Sequence, residues 1–421
     1  MKKIKLSILL LGLITLILNL PACKQVKQQA SDQFFHVDKQ NLIAPDGKPF
    51  LIKGINLGNW LNPEGYMFLF GDVNCFHLID QSLKEMVGPQ FVDQFWRKFQ
   101  DGYITRQDIR FIHESGMNTV RIPFHYKLFT KENFMGSNDP NRGFELLDKV
   151  ISWCHDEDIY VILDMHDAPG GQTGDNIDDS YGYPWLMVNE KDQELFCKIW
   201  QRIARHYANN PTVLGYDLLN EPIAPYFGKD MPMLNKQLEP LYENVVKDIR
   251  KVDKNHVMIL GGAQWDGNFK VFHNYHFDHN MMYTCHRYWC DTVQKAIQDF
   301  LDFRKETDLP LYMGETGENT DAWIHGFRTL LEKNNIGWTF WPYKKMVKSS
   351  CMVSIQEPKY WNKIVEFTHQ DNSSFKKIRE HRPSQDTVRM ALDELLQNMK
   401  FSNCKINKGY IEALGMKPSN K

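Results

Sequence analysis

The sequence predicts an α/β fold: a closed (β/α)8 barrel with extended βα loops and a short N-terminal β-hairpin. Three observations point there. Eight short apolar runs alternate with helical periods: Leu51–Gly58, Thr119–Phe124, Tyr160–His166, Leu214–Glu221, Val257–Ala263, Met281–Tyr288, Leu311–Thr316 and Gly337–Tyr343. Their interiors lack strict apolar–polar alternation, as expected of strands covered on both faces. Most of the runs also end in polar or charged residues, which a parallel barrel gathers at one mouth. A doubly wound sheet is the rival. It usually carries a glycine-rich phosphate turn after its first strand, whereas the first unit here ends in Gly58-Asn-Trp-Leu-Asn-Pro-Glu64.

Taken in order, the chain opens on a basic Met1-Lys-Lys-Ile-Lys5 and an apolar run from Leu6 to Leu20, of leader length and too short to favour a spanning helix. Leu20-Pro-Ala-Cys23 resembles the lipobox of bacterial lipoproteins. That implies a signal peptide over 1–22, lipidation at Cys23, a polar tether over 23–33, and an exported protein held to a membrane through its lipid. The folded body begins near Phe34, where a turn at Ala44-Pro-Asp-Gly47 suggests a hairpin closing the bottom of a larger fold. Helical periods run over Thr105–Ser115, Phe144–Asp156, Glu190–Tyr207, Leu234–Lys251, Thr292–Lys305 and Ala322–Lys333. Three connections are long: Pro63–Tyr103, with a helical pattern around Phe91–Phe99; the Gly/Asp-rich Ala168–Asn189; and Lys345–Arg382, before a last helix near Gln385–Met399. One domain is expected over 34–400, with a C-terminal tail over 401–421, loosely ordered from Lys405 onwards.

Composition narrows the function. With 42% hydrophobic and 24% charged residues the chain is ordinary globular protein, and a net charge of −2 gives no reason to expect nucleic acid. A monomer is expected. Eight cysteines leave seven after Cys23, without CxxC pairs or His/Cys clusters of metal-site spacing, so neither a metal nor a particular disulfide is expected. Aromatics are 13% of the chain, enough to supply stacking faces for sugars as well as core. Trp60, Trp185, Trp265 and Trp289 stand in or beside predicted strand-end loops and are candidate platforms.

The strand ends carry the chemistry. Strand two ends near Arg121, strand three at Asp164 and His166, and strand four at Asn220 and Glu221. Strand six ends at His286 and Tyr288, strand seven at Glu315 and strand eight at Trp341. Glu221 and Glu315 face one another across the mouth of such a barrel. Two opposed carboxylates are the minimum equipment for hydrolysing a glycosidic bond. Arg121 and Tyr288 are placed to hold one of them ionised, His166 and His286 to bind hydroxyls or orient the acid. Asp164, two residues before His166, points the same way and suits a buried partner of Arg121.

These residues resemble glycoside hydrolase family 5. The carriers are Gly116-Met-Asn-Thr-Val-Arg-Ile-Pro123, Leu163-Asp-Met-His166, Leu219-Asn-Glu-Pro222, His286-Arg-Tyr288, Gly314-Glu315 and Trp338-Thr-Phe-Trp341, in family order across roughly residues 50–345. The resemblance implies a retaining enzyme without cofactor, acting on an oligo- or polysaccharide. Glu221 would be the acid/base and Glu315 the nucleophile; Arg121, His166, Asn220, His286 and Tyr288 would support them, with Asn220 at the sugar 2-hydroxyl and Trp341 under the sugar ring. Lys53-Gly-Ile-Asn-Leu-Gly-Asn-Trp-Leu-Asn-Pro-Glu64, Tyr103-Ile-Thr-Arg-Gln-Asp108 and His166-Asp-Ala-Pro-Gly-Gly-Gln172 resemble the exo-β-1,3-glucanase branch. In that branch the residue matching Glu64 binds hydroxyls at the non-reducing end. The chain departs from the branch in Asp175-Asn-Ile-Asp-Asp-Ser180 and in Thr316-Gly-Glu-Asn-Thr320. An endo-acting β-1,4- or mixed-linkage glucanase is therefore the alternative. Two other classes compete: a glycan-binding lipoprotein that has lost catalysis, and a metal-dependent hydrolase seeded by Asp164, His166 and His286.

Overall fold

In the computed structural model, which describes residues 33–418, the chain enters through a hairpin of β1 (His36–Asp38) and β2 (Asn41–Ile43). The expected leader, Cys23 and nearly all of the tether lie outside the described residues. His36 pairs with Ile43 and Asp38 with Asn41, so the reversal falls on Lys39-Gln40, with Lys39 at φ 52°. The Ala44–Gly47 turn, expected at the hairpin tip, instead folds the chain back a second time and leaves an Ile43–Pro49 bridge. Two residues suffice for a hairpin turn once one adopts positive φ. Phe35 and Leu42 pack on Ile52, Ile162, Leu214, Val257, Ile259, Met282 and Tyr312, closing the end of the barrel that lies opposite the polar strand ends.

The barrel consists of β3 (Lys53–Asn56), β4 (Thr119–His125), β5 (Tyr160–Asp167), β6 (Val213–Asp217), β7 (Val257–Gly261), β8 (Met281–His286), β9 (Leu311–Glu315) and β10 (Trp338–Phe340). All neighbours are parallel, and β10 closes the ring between β9 and β3. It is a TIM barrel. Every predicted strand is present. β3 and β10 are the most shortened, and β6 stops at Asp217, although Leu218 N–H still donates to Ile259 O at 3.0 Å and Asn220 N–H to Met165 O at 3.1 Å before Pro222, which has no N–H.

The Glu190–Tyr207 helix has the bounds read from the sequence. The long first connection holds a helix at Pro89–Tyr103 where one was expected and a second, unanticipated one at Phe76–Val87. Gly88, at φ 84°, makes the joint, and Pro89 starts the following helix.

The tail is a correction. Residues 401–418 are not loose. β11 (Lys344–Met346), β12 (Val353–Ile355) and β13 (Lys405–Ile406) form a three-stranded sheet, and a helix over Lys408–Ala413 buries Tyr410 and Ile411. Asn407 fixes the join, donating to Cys351 O at 2.9 Å and Ser354 Oγ at 2.7 Å. Among the described residues no two of the seven cysteines are joined in a disulfide.

Lys344 ties this layer to the barrel. It is fully buried, with Nζ 2.8 Å from Asp108 Oδ1 and donating to Tyr103 O at 2.6 Å and Met399 O at 2.8 Å. Removing one member of such a pair leaves the other charge buried, at a cost of about 3 kcal/mol. Lys344→Met should lower stability by that amount in chemical denaturation; an unchanged midpoint would refute this role.

Candidate active site

The polar strand ends converge around Arg121, which has no solvent-exposed surface. Its Nε donates to Asp217 Oδ2 at 2.8 Å, and its Nη1 to Glu315 Oε1 at 2.6 Å and Asn56 Oδ1 at 3.1 Å. Nη2 donates to Asn220 Oδ1 at 3.0 Å and lies 3.1 Å from Asp164 Oδ1. Burial raises Asp164 and Asp217 to about 7 against the pull of the guanidinium. Glu315 ends β9, and its second oxygen accepts from Tyr288 O–H at 2.9 Å. Its position depends on the residue before it. A Cβ on Gly314 would fall 2.2 Å from Thr284 Oγ1 and 2.9 Å from His286 Nε2, so only glycine lets β8 and β9 approach here.

Glu221 sits just beyond β6 at φ 45°, a left-handed conformation costly for a side-chain-bearing residue. Its carbonyl accepts from Thr173 Oγ1 at 2.7 Å and its N–H donates to Asp266 Oδ2 at 3.2 Å, which pins the strained peptide. Its Oε1 lies 2.8 Å from His286 Nδ1. Burial pushes His286 down to about 3, so the ring stays neutral, and pushes Glu221 up to about 7. His286 Nε2 lies 3.3 Å from Asp266 Oδ2 but outside hydrogen-bond geometry. One oxygen of Glu221, one of Glu315 and a ring nitrogen of His286 all fall within 4.8 Å of one another.

These groups form the floor of a cavity of about 900 Å³. Trp341 lines it, donating its indole N–H to Tyr66 Oη at 2.7 Å and stacking 5.6 Å from the His166 ring at 9°. Gly58 makes room: a Cβ there would meet the Trp341 ring at 2.5 Å. His166 Nδ1 is held by Asp164 Oδ2 at 2.7 Å. Trp265 and Trp289 line the opening with 37% and 72% of their surface exposed. Glu64 lines the cavity too, buried, with Oε1 unpartnered; burial and the charges of Glu315, Glu318 and Glu221 push its carboxyl well up.

Two expected platforms lie elsewhere. Trp60 is buried between the barrel and the Pro89–Tyr103 helix, donating to Gln100 O at 2.8 Å; the left-handed turn at Asn59 (φ 64°) sends it away from the mouth. Trp185 packs on Tyr183, outside the cavity lining. Sequence reasoning missed Asn56, Tyr66, Asp217, Asp266 and Glu318. Asp217 carried one signal, a carboxylate inside the apolar run Leu214–Leu219.

Asp164, His166 and Glu315, and separately Glu221, His286 and Glu315, bring ligand atoms within metal-binding reach. Their donor atoms are already engaged, and Arg121 supplies a fixed cation among them. The donor set suits a proton-transfer site, not a resident metal.

A family model, Cellulase (glycosyl hydrolase family 5), matches residues 80–346, more than half of the chain. The chain belongs to glycoside hydrolase family 5. It is 32% identical over 240 residues to a β-xylosidase of Phanerodontia chrysosporium, a match covering 57% of this chain and about half (48%) of that protein. It is 25% identical over 314 residues to endoglucanase C of Acetivibrio thermocellus, covering 60% and 87%. A probable glucan 1,3-β-glucosidase A of Emericella nidulans is 27% identical over 269 residues, covering 62% of each chain.

The environment of Glu221 sets a pH limit. Its protonated form prevails below about 7, so a reaction that needs it as an acid should lose about tenfold in kcat/KM per pH unit above that point. A basic limb at the ordinary carboxylate value, about 4–5, in a pH profile of kcat/KM would contradict this environment.

Proposed function

We propose that the chain is a retaining β-glucan hydrolase working by double displacement. One observation carries the reading: oxygens of Glu221 and Glu315 lie within 4.8 Å. Retaining enzymes hold their carboxyl groups about 5–5.5 Å apart, while inverting ones leave about 6.5–9.5 Å for a water. Glu315 attacks the anomeric carbon, oriented by Arg121 and Tyr288. Glu221 protonates the departing glycosidic oxygen and is left ionised. It then takes a proton from the water that attacks the glycosyl–Glu315 ester, freeing the sugar and restoring both carboxyls. Trp341 supplies the apolar floor and Asn220, fixed by Arg121, meets the 2-hydroxyl. No cofactor takes part in these steps.

Exo action on β-1,3-glucan is the finer proposal. It is supported by Glu64, a cavity carboxyl with one oxygen free for a terminal hydroxyl, and by the first-strand motif that ends on it. The endo-acting β-1,4- or mixed-linkage alternative draws on the resemblance to an endoglucanase. Glu315→Gln should lower turnover by at least about 10³-fold with the fold intact, and Glu221→Gln by about 10²–10⁴, less on aryl glycosides whose leaving group needs no proton. Near-normal turnover by Glu315→Gln would refute the mechanism. Among sized products from β-1,3-, β-1,4- and mixed-linkage oligosaccharides, monosaccharide alone from β-1,3 chains is expected; internal fragments would give the endo reading instead.

We further propose export and membrane attachment of a monomer in a bacterial cell, on the strength of the Leu20-Pro-Ala-Cys23 motif. Cys23→Ser should move the protein from the membrane to the soluble fraction. Unchanged fractionation would end this proposal.

A further inference from the structure

The aromatic surface at the mouth continues past Trp265. The Trp265 ring meets Tyr226 with centroids 5.9 Å apart, and Tyr226 meets Phe227 at 5.5 Å. Phe227 meets Tyr183 at 5.3 Å, and Tyr183 meets Trp185 at 4.8 Å. The row thus runs from a ring in the cavity lining to a tryptophan outside it. We propose that this row binds the departing part of a β-glucan chain, holding sugars beyond the one released next to Glu221; the assignment rests on the retaining-hydrolase reading above.

The direction follows from where the acid stands. Glu221 protonates the departing oxygen, so the departing sugars lie on its side of the cavity. Tyr226 and Phe227 follow Glu221 in the same loop beyond β6, and Trp265 follows β7. Trp341 and Glu64, the floor and the far wall, follow β10 and β3. In the closed ring β10 lies opposite β6 and β3 opposite β7, so the row and the Trp341–Glu64 side are at opposite ends of the mouth.

The chemistry along the row is that of a sugar, apolar on its faces and hydroxylated on its rim. Neighbouring rings meet at 49–74° and not face to face, and Tyr226 and Trp185 keep 55% and 46% of their surface exposed. Carboxylates border them: Tyr226 O–H donates to Asp175 and Tyr183 O–H to Asp230 Oδ2 at 3.3 Å. Both aspartates are partly exposed and can accept from sugar hydroxyls. A lipid tail or an apolar protein face would bring no donors to them and would strip their water.

The row is also built in advance of any ligand. Ile223 N–H donates to Gln172 O at 2.9 Å and Ala224 N–H to Thr173 O at 3.0 Å, which ties the loop after β6 to the loop after β5. Gln264 N–H donates to Ile223 O at 2.9 Å and ties in the loop after β7. Gly174, at φ 79°, permits the closeness: a Cβ there would fall 2.5 Å from the Phe227 ring and 2.8 Å from Pro184 Cδ. Surfaces fixed before binding lose little freedom when they bind.

Glucose oligomers of β-1,3 and β-1,4 linkage, from disaccharide to hexasaccharide, test the row on the full chain. For the linkage that is cleaved, kcat/KM should rise with chain length through KM. Trp185→Ala and Tyr226→Ala, both at exposed positions, should each raise KM for the hexasaccharide by about 3–10-fold with kcat unchanged. An aryl β-glucoside, which fills only the cavity, should be hydrolysed equally by all three proteins. In the Glu315→Gln background the same two changes should weaken hexasaccharide binding in calorimetry by the same factor. That binding effect without turnover in the parent protein would refute the hydrolase reading and leave the row a glycan site. Turnover independent of chain length, or hexasaccharide KM and binding unchanged in both variants, would overturn the row. Self-association lost in the variants with hexasaccharide binding intact would give the rings to a second copy of the chain and overturn it equally.

Discussion

The guanidinium of Arg121 is the constraint on which the site rests. A cation with no exposed surface at the centre of a barrel mouth must find its counter-charge among side chains, and it has Asp164, Asp217 and Glu315. Those three come from β5, β6 and β9, and Arg121 itself from β4, so four strands are locked by one planar group. Asn56 on β3 and Asn220 beyond β6 use its remaining N–H groups. Burial holds Asp164 and Asp217 near 7, so they neutralise the guanidinium incompletely and its charge remains available to Glu315. Structural support and catalytic electrostatics come from the same atoms.

The two glutamates begin as the same chemical group and meet different surroundings. Glu315 receives two hydrogen bonds, one from a permanent cation and one from a phenol, which fix where its oxygens point. Glu221 faces an imidazole whose own burial keeps it neutral, so no opposing cation touches it and the cost of desolvation dominates. Pairs of carboxyls with diverging environments are how a single site runs nucleophilic and acid chemistry at one pH. The proposed nucleophile and acid/base assignment draws on these contacts as well as on the family resemblance.

The eight strands and their polar ends were legible because a barrel strand writes itself as an apolar run with polar residues towards its end: His286 and Glu315 terminate β8 and β9, Glu221 follows β6, and Arg121 lies within β4, which runs on to His125. What was not legible belongs to side chains whose direction the local pattern does not determine. Asp217 reads as one polar residue within an apolar run until Arg121 from a different strand reaches it. Asp266 comes from a turn in which Gln264, Trp265 and Asp266 all take positive φ, and no periodicity describes such a turn. Trp60 misled because Asn59 takes a left-handed conformation and reverses the side on which the indole lies. The tail was underestimated because its strand has only two residues and gains its order from pairing with β12.

Strain at the mouth follows from this division of labour. Asp179, Glu221, Trp265, Trp289 and Glu318 are all non-glycine residues at positive φ, and all lie in the loops at one end of the barrel. Each costs on the order of 1–2 kcal/mol, which a closed sheet with a continuous apolar core can carry. Local contacts fix these conformations: Thr173 and Asp266 hold the Glu221 peptide, and Lys345 pairs with Glu318. The contacts that fix these loops are separate from those of Arg121. In the proposed reading, that separation leaves Glu64, Trp265, Trp289 and the Asp175 loop to select the glycan while the two carboxyls carry the reaction.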